Sequence, residues 1–533
     1  MRFVPEIRVW IVLTVFSFYI LTACGTSGEE IVDDIVTEEK IPIEERLKAC
    51  IQPEALEELG LDPKLSVWLT SLYDSLDFKP IWINEHELNE KGLKLDSSLN
   101  HSIWFGVPRS RIRFNDKKED RIVVKEVFCT VRSALMLHDL NYGMIVDSTK
   151  KFGEQRLIDR VKFDSLMTLP DSISVDQFFL RQGPSDTNYR FLADHLYQYV
   201  QKYPLNEKTF EVKPIKEDSV GAIPKSRQAL FFKGYLLDSL SDEQEFMQAL
   251  KAFQKDNGLK PDGKIGKYTS RALNESTLNK VYRAALALDK YRTQIKYPSK
   301  YIFVNLPEYI LRYYVRDSLK SMHRIVIGTE VNQTPQLKSK VYQIMVYPFW
   351  NVPYSISSKE ILPAVRYNTG YLKKNNYKIY RKEVEVDPYK VNWKKIRKDA
   401  FPYKVVQQPG PKNSLGIIKF EFHNKYSVYI HDTPSKGFFN SDVRSFSHGC
   451  MRCENPVELG RILLANDSLR RKANPMIADS LDTFLGRAQN LPIRLIDPIP
   501  VFVEYRSVCA DRDKLVFYVD IYGRDEEYLK AFR

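Results

Sequence analysis

Thiols and imidazoles are concentrated in one short segment of the chain. Residues 430–456, IHDTPSKGFFNSDVRSFSHGCMRCENP, hold two of the eight histidines and two of the six cysteines. Side chains of these types can bind a metal ion, form a redox-active dithiol, or act as a nucleophile with its base. The spacing of the residues decides which of the three chemistries is favoured.

The spacing fits neither a zinc site nor a redox dithiol. A structural zinc ion needs four ligands, usually supplied as two close pairs. Cys450 and Cys453 form one C-x-x-C pair, but the chain offers no second such pair and no paired histidines of the zinc-finger type, although His423, His431 and His448 are near in sequence. A redox C-x-x-C normally follows the first strand of a βαβ unit, whereas this motif lies late in a region that we expect to be antiparallel β structure.

The same segment meets the needs of nucleophilic catalysis by a cysteine. A thiolate attacks a carbonyl, a histidine takes the thiol proton, and backbone N–H groups hold the oxyanion that forms. Gly449, in SHGC, allows a sharp turn just before Cys450. His431 ends the predicted strand SVYI, and the 450 − 431 = 19 residue separation allows a loop to fold back onto it.

A family resemblance is carried by this segment and by stretches that precede it. HDTPSKGFFNSDVRSFSHGCMR resembles the catalytic signature of the L,D-transpeptidases, cysteine enzymes that cross-link peptidoglycan. VNLPEYILRYY, VIGTEVNQTP, YPFWNVPYSISSKEILP and GPKNSLGIIKF resemble stretches of the large periplasmic subgroup, which joins a helical scaffold, a peptidoglycan-binding module and a catalytic domain. The resemblance extends over residues 226–500, and residues 46–215 are compatible with it.

The resemblance implies a role for each residue of the motif. Cys450 matches the nucleophile and His431 the general base, whose ring is oriented by Asp432 or by its backbone carbonyl. Arg452 matches a basic position that holds the donor carboxylate or braces the loop, with a salt bridge inside the domain as the alternative. The remaining residues line the turn before the nucleophile: Ser447, His448 and Gly449, with the N–H groups of Gly449 and Cys450 as oxyanion-hole candidates. Cys453 departs from the family pattern and is expected either to pack in the core or to regulate Cys450.

The implied reaction is a two-step acyl transfer without a metal or organic cofactor. The thiol expels the terminal D-alanine of a tetrapeptide stem, and an amine of a second stem takes the acyl group to give a 3→3 cross-link for cell wall biogenesis and cell shape. Water as acceptor would make the protein an L,D-carboxypeptidase, and an envelope protein as acceptor would make it an anchoring enzyme. A non-catalytic peptidoglycan-binding lipoprotein is the alternative from another class.

The sequence patterns before and around this segment predict a multidomain α+β chain. Apolar residues three and four apart indicate a helical scaffold over 46–215. Three short helices with glycine turns over 226–275 resemble the small peptidoglycan-binding domain. Alternating apolar residues then predict a mainly β catalytic domain over 300–500, after a connecting helix at 276–299 and with a basic helical insert at 357–380. No role is assigned to the extension 501–533.

The N-terminus predicts the compartment. Arg2 and Arg8 flank the apolar stretch VWIVLTVFSFYIL, and LTAC ends at Cys24. This resembles a lipoprotein signal peptide over 1–23 with Cys24 as the lipidated residue, followed by a flexible acidic tether over 24–45; an uncleaved anchor is the alternative. The five other cysteines are sparse, and an odd number cannot all pair within the chain, so they do not indicate a disulfide framework.

The net charge indicates the kind of partner. Lys and Arg exceed Asp and Glu by 80 − 68 = 12, which favours an acidic polymer or surface. Export makes nucleic acid an unfavoured partner. We therefore expect peptidoglycan stem peptides and glycan as partners, a membrane contact through the lipid on Cys24, a monomer, and a location in the periplasm or cell envelope.

Overall fold

The computed structural model describes residues 41–108, 121–146, 151–152, 158–294, 296–468, 480–510 and 513–530. The predicted signal peptide, Cys24 and nearly all of the predicted tether lie outside these residues. Within the described part of the chain, no helix has both the length and the apolar character needed to span a bilayer.

The N-terminal region is helical, as its apolar periodicity predicts. Its central helix, α5, is buried along most of its length, and the carboxylate of Glu126 on it accepts hydrogen bonds from Tyr73 and from the Trp82 backbone. Trp82 is fully buried and donates its indole N–H to Thr130 (2.9 Å), so it is a core anchor. The elements are α1 (Ile43–Cys50), α2 (Pro53–Glu58), α3 (Pro63–Asp74), α4 (Glu90–Asn100), α5 (Arg121–Tyr142), β1 (Ile145–Val146), β2 (Lys151–Phe152), α6 (Arg160–Met167), α7 (Val175–Leu180) and α8 (Thr187–Lys202).

The three-helix module consists of α9 (Ala222–Phe232), α10 (Glu243–Asp256) and α11 (Lys267–Asn274). Helix α10 begins where the Asp242 carboxylate accepts the Glu245 N–H (2.8 Å), which satisfies a free donor of the first turn. Its apolar positions fall on one face and are buried in the core: Phe246, Leu250 and Phe253. The next helix, α12 (Thr277–Arg292), packs its buried alanines and leucines against the scaffold, so it belongs to the scaffold core as well as connecting the domains.

The β region forms a closed sheet around the main core. Within the described residues the sheet has nine strands in the order β13-β5-β14-β12-β11-β6-β15-β3-β4, and β4 also pairs with β5, which closes the ring and leaves β13 outside it. Two helices, α16 (Pro456–Ser468) and α17 (Ser480–Gly486), follow β14. The strands are β3 (Lys300–Asn305), β4 (Ile310–Val315), β5 (Ser318–Gly328), β6 (Leu337–Val346), β11 (Ile418–Phe422), β12 (Ile430–His431), β13 (Ser445–Ser447), β14 (Met451–Cys453) and β15 (Leu491–Glu504).

The insert between β6 and β11 is only partly helical, contrary to the prediction for 357–380. Its α-helices end at Lys374, and Asn376 adopts a left-handed φ of +58°, the conformation that commonly stops a helix. The chain then enters a small sheet with its own apolar core. The insert comprises β7 (Trp350–Asn351), α13 (Tyr354–Ile356), a π turn (Ser357–Ile361), α14 (Leu362–Tyr367), α15 (Gly370–Lys374), β8 (Tyr377–Arg381), β9 (Val384–Val386) and β10 (Lys404–Gln407).

The C-terminal extension is built into the fold. The expected boundary at residue 500 falls inside β15, which continues to Glu504 between β3 and β6. The extension then forms a hairpin, β16 (Val508–Ala510) and β17 (Leu515–Phe517), and a short helix, α18 (Asp525–Leu529). Apolar residues of the hairpin and of α18 join the core clusters of the scaffold, because this segment returns from the sheet to the helical region.

Candidate active site

Two short parallel strands bring the predicted nucleophile and base to neighbouring positions. Ile430 on β12 is paired with Met451 on β14, and His431 is paired with Arg452. The Met451 N–H donates to the Tyr429 carbonyl (3.0 Å), which extends the pairing by one residue. Cys450 immediately precedes Met451, so the turn before β14 delivers the thiol beside the strand that carries the imidazole.

Strand alternation places the polar side chains on one face of this pair. Ile430 and Met451 are fully buried in the apolar core, and residues on either side of them point to the opposite face. Strand β11 adds a neighbour, because Lys419 is paired with His431. We call this surface the catalytic face; its residues are Lys419, Tyr429, His431, Cys450 and Arg452.

The His431 ring is held by a backbone acceptor. Its Nδ1 lies 2.5 Å from the Asp432 carbonyl oxygen. Since a carbonyl only accepts, Nδ1 carries the proton and Nε2 presents its lone pair, the tautomer that a base needs. The Asp432 carboxylate serves a different purpose: it accepts the Ile417 N–H (3.0 Å) and the Lys436 ammonium (2.5 Å) and so fixes the peptide that orients the ring.

The surroundings keep the His431 imidazole neutral. The pKa of His431 is lowered to about 3: burial is the largest cause, the positive charges of Arg452 and Lys419 contribute to the lowering, and the Asp432 carbonyl opposes it. His431 is only 4% exposed. The ring therefore stays neutral over the whole range in which an ordinary histidine would titrate.

Tyr429 lowers the pKa of the Cys450 thiol, which itself lies 4.0 Å from the Ser427 carbonyl oxygen. Burial raises this pKa, but the Tyr429 N–H and hydroxyl oppose the rise together with the charges of Lys419 and Arg452. Burial also raises the pKa of Tyr429, so its hydroxyl keeps its proton and remains a donor. The Lys419 ammonium lies 4.0 Å above the Tyr429 ring centre. The face thus combines a neutral thiol with groups that stabilise the thiolate once it forms.

The turn before the nucleophile is closed by its own side chains. The Ser447 hydroxyl accepts the Gly449 N–H (3.1 Å) and donates to the Cys450 carbonyl (2.5 Å). Gly449 has a φ of +113°, which side chains other than glycine rarely adopt. One of the two predicted oxyanion donors, the Gly449 N–H, is therefore already used within the turn. For the Cys450 N–H no acceptor is found among the described residues.

The His448 side chain contacts the insert. Its Nε2 lies 2.7 Å from the Glu360 carboxylate in the π turn, and both side chains are about half exposed. His448 therefore joins the catalytic turn to the insert, and His431 is the histidine with the environment of a base. This contact was not predicted, because Glu360 lies far from His448 in sequence.

Arg452 has no carboxylate partner among the described residues. Its guanidinium lies 5.5 Å from the centre of the Phe438 ring, and burial lowers its pKa. The predicted alternative, a salt bridge within the domain, is thus not found in the described part of the chain. A half-buried cation without a counter-ion beside a nucleophile is suited to a substrate carboxylate.

Cys453 lies on the other side of the strand from Cys450. It is fully buried with the apolar core residues, and burial raises the pKa of its thiol. Residues three apart in a strand are separated by roughly 10 Å, whereas a disulfide needs Cα atoms within about 7 Å. The two thiols therefore cannot form a disulfide or share a metal ion without refolding the strand, and Cys453 is a packing residue.

Tyr429 and Lys419 were missed by the sequence reasoning. Tyr429 could have been predicted from the sequence, because it lies two residues before His431 on the same predicted strand and must share its face. Lys419 could not, because its position beside His431 depends on the register between β11 and β12.

Comparisons with known proteins agree with this architecture. Residues 299–468 match the family model described as the L,D-transpeptidase catalytic domain (YkuD), and residues 234–273 match the model described as "Putative peptidoglycan binding domain". The chain therefore carries an L,D-transpeptidase catalytic domain joined to a peptidoglycan-binding domain. This confirms the resemblance to the L,D-transpeptidase catalytic domain and to the peptidoglycan-binding domain, and with it the multidomain α+β fold class predicted from the sequence.

Relatives cover parts of the chain. A curated protein of Haemophilus influenzae named "Putative L,D-transpeptidase" is 34% identical over 228 residues, which are 42% of this chain and 45% of that protein. The chain thus spans less than half of that relative's length. Solved structures of L,D-transpeptidases from Xylanimonas cellulosilytica and Stackebrandtia nassauensis are 15% and 13% identical; each match covers 57% of this chain and 98% of the other, with TM-scores of 0.16 and 0.18.

Proposed function

We propose that this protein forms 3→3 cross-links in peptidoglycan through a thioester on Cys450. The observation that carries the proposal is the catalytic face, where a buried neutral imidazole in the Nε2-acceptor tautomer lies on the strand paired with the one that Cys450 precedes. The two matched domains support peptidoglycan as the substrate, because one domain type binds it and the other acts on it.

The first step is acylation of Cys450. The Cys450 sulfur attacks the carbonyl of the third residue of a tetrapeptide stem while His431 Nε2 takes the thiol proton. The C–N bond to the terminal D-alanine then breaks, and His431 returns the proton to the leaving amine. The Cys450 N–H stabilises the negative charge on the carbonyl oxygen, and Arg452 holds the donor carboxylate.

The second step transfers the acyl group. The side-chain amine of another stem attacks the thioester carbonyl and gives a proton to His431. The C–S bond breaks, the amide of the cross-link forms, and the sulfur leaves as a thiolate that Tyr429 stabilises until His431 reprotonates it. Every proton and bond is accounted for by the catalytic face and the two stems.

We also propose that the protein acts in the cell envelope as a lipoprotein anchored through Cys24. The support is the LTAC motif after an apolar stretch and the nature of the two domains. Mass spectrometry of the mature N-terminus should detect a diacylated or triacylated Cys24, and Cys24→Ala should release the protein from membranes. An unmodified Cys24 in a membrane-bound protein would refute the lipid anchor.

The acceptor is tested by incubating the purified protein with tetrapeptide muropeptides and analysing the products by mass spectrometry. We expect dimers joined 3→3 and free D-alanine. Tripeptide monomers alone would make the protein a carboxypeptidase, and stem peptides on an added envelope protein alone would make it an anchoring enzyme. Binding to sacculi without any product would leave only the peptidoglycan-binding lipoprotein.

A further inference from the structure

The peptide bond between Gly449 and Cys450 is fixed by a threonine from another loop. The Thr334 hydroxyl donates to the Gly449 carbonyl (2.8 Å) and accepts the Gly328 N–H (2.9 Å), and Thr334 is fully buried. In a trans peptide the carbonyl and the following N–H point in opposite directions. A bond that fixes the Gly449 carbonyl therefore also fixes the direction of the Cys450 N–H.

Glycine leaves this peptide more conformational freedom than any other residue would. Gly449 has a φ of +113°, and Ser447 restrains the Gly449 N–H and the Cys450 carbonyl on either side of the peptide but not the Gly449 carbonyl itself. The loop packs closely against this turn: a Cβ added to Gly328 would lie 1.9 Å from the Asn332 carbonyl oxygen and 3.0 Å from the Gly449 Cα. The loop that carries Thr334 is thus pressed against the catalytic turn.

Two residues of the C-terminal extension hold that loop in place. The Tyr522 hydroxyl donates to the Gly328 carbonyl (2.7 Å) and accepts the Thr334 N–H (3.2 Å). The Arg524 guanidinium donates to the Thr334 carbonyl (2.9 Å) and to the Gln333 side-chain oxygen (3.0 Å). Tyr522 and Arg524 therefore contact the loop at Gly328, Gln333 and Thr334, and we call this pair the brace.

The brace is itself anchored on the opposite side. Asp520 accepts the Tyr505 hydroxyl (2.5 Å) and the Arg524 N–H (3.0 Å), and its carbonyl accepts the Arg271 guanidinium (2.5 Å) of the peptidoglycan-binding module. The Tyr505 hydroxyl accepts the Tyr522 N–H (3.0 Å). One short segment thus connects the module, the end of β15 and the loop beside Cys450.

We propose that Thr334 is a positioning residue that sets the Cys450 N–H as an oxyanion donor, and that Tyr522 and Arg524 position Thr334 in turn. This inference rests on the proposed acyl transfer at Cys450 and assigns the C-terminal extension a part in it. The extension would then act on the rate of the acylation step and not on the binding of the stem peptide.

The test compares two reactions of Cys450. Acylation by a carbapenem develops an oxyanion, whereas alkylation by iodoacetamide does not, and peptide mapping restricts both readouts to Cys450. Thr334→Val should slow acylation about 10²-fold, the typical effect of losing one oxyanion donor, and leave alkylation unchanged. Thr334→Ser, which keeps the hydroxyl, should restore acylation.

The brace is tested with a matched pair of tyrosine variants in the full chain. Tyr522→Phe should slow acylation about tenfold, as expected for one hydrogen bond, and change kcat without changing KM. Tyr528→Phe, in α18 of the same segment, should leave both reactions at the wild-type rate. Thermal unfolding of each variant is measured alongside, and Tyr522→Phe carries the test if Thr334→Val fails to fold.

The outcomes separate this inference from the proposed function. A wild-type protein that is not acylated would refute the proposed function itself. Normal acylation of wild type together with equal acylation of folded Thr334→Val or Tyr522→Phe would overturn the positioning role. An equal loss of alkylation and acylation would also overturn it, because the loop would then affect the reactivity of the Cys450 thiol rather than the position of the Cys450 N–H.

Discussion

The depressed pKa of His431 makes a sharp prediction about the pH dependence of acylation. A base with the ordinary pKa of 6.5 would be mostly protonated at pH 5, so the acylation rate would fall about 25-fold between pH 7 and pH 5. Burial instead lowers the pKa of His431 to about 3. The imidazole then stays neutral at both pH values, and the rate should change less than twofold between them.

The assay is the second-order rate constant for carbapenem acylation of Cys450, followed by intact mass from pH 4 to pH 8. Nitrogen-15 spectra of the histidines give the second readout, because they report both the tautomer and the protonation midpoint of His431. An acid limb near pH 6.5 in the rate, or a His431 midpoint there, would refute the argument from burial. So would a ring that carries its proton on Nε2.

Arg452→Met tests how much the charge of Arg452 contributes to the lowered pKa of His431. After burial, the Arg452 charge is the next largest cause of the depressed pKa of His431. Removing this charge should raise the His431 pKa, so an acid limb should appear at a higher pH than in the wild type. Comparing the shapes of the two pH profiles, and not their heights, avoids any effect of Arg452 on binding the carbapenem carboxylate.

Three further predictions concern individual residues of the catalytic face and Cys453. Tyr429→Phe removes a hydroxyl that lowers the pKa of the Cys450 thiol, so alkylation of Cys450 at pH 7 should slow about tenfold; an unchanged rate would exclude this role of the hydroxyl. His431→Ala should slow acylation 10²–10⁴-fold, the typical contribution of a general base, whereas His448→Ala should cost much less because His448 bonds Glu360; the reverse ranking would mean that the base is wrongly assigned. Peptide mapping of oxidised protein should yield no Cys450–Cys453 disulfide, and finding one would contradict their placement on opposite faces of β14.

Most of the catalytic face could be predicted from the sequence because its elements are local in the chain. A strand ending at His431 and a glycine turn before Cys450 are both visible in the pattern. Strand alternation could have extended the prediction to Tyr429, which lies two residues before His431. The register that places Lys419 beside His431 depends on the pairing of β11 with β12, and nothing local encodes it.

The remaining differences are also long-range. The use of the Gly449 N–H by Ser447 depends on the exact turn geometry, which the letters SHGC do not specify. The C-terminal strands were visible as alternating apolar residues, but their choice of partners was not. The contact of Tyr522 with Thr334 joins residues almost two hundred positions apart, so the role of the extension emerges only from the folded chain.

Trapping the thioester shows whether Cys450 carries the acyl group. The full chain is incubated with a tetrapeptide muropeptide without an acceptor, quenched in acid, and analysed by intact mass and peptide mapping. We expect an adduct equal to the muropeptide minus D-alanine on Cys450, present in Cys453→Ala and absent from Cys450→Ala. An adduct that persists in Cys450→Ala, or D-alanine release by that variant at the wild-type rate, would contradict it.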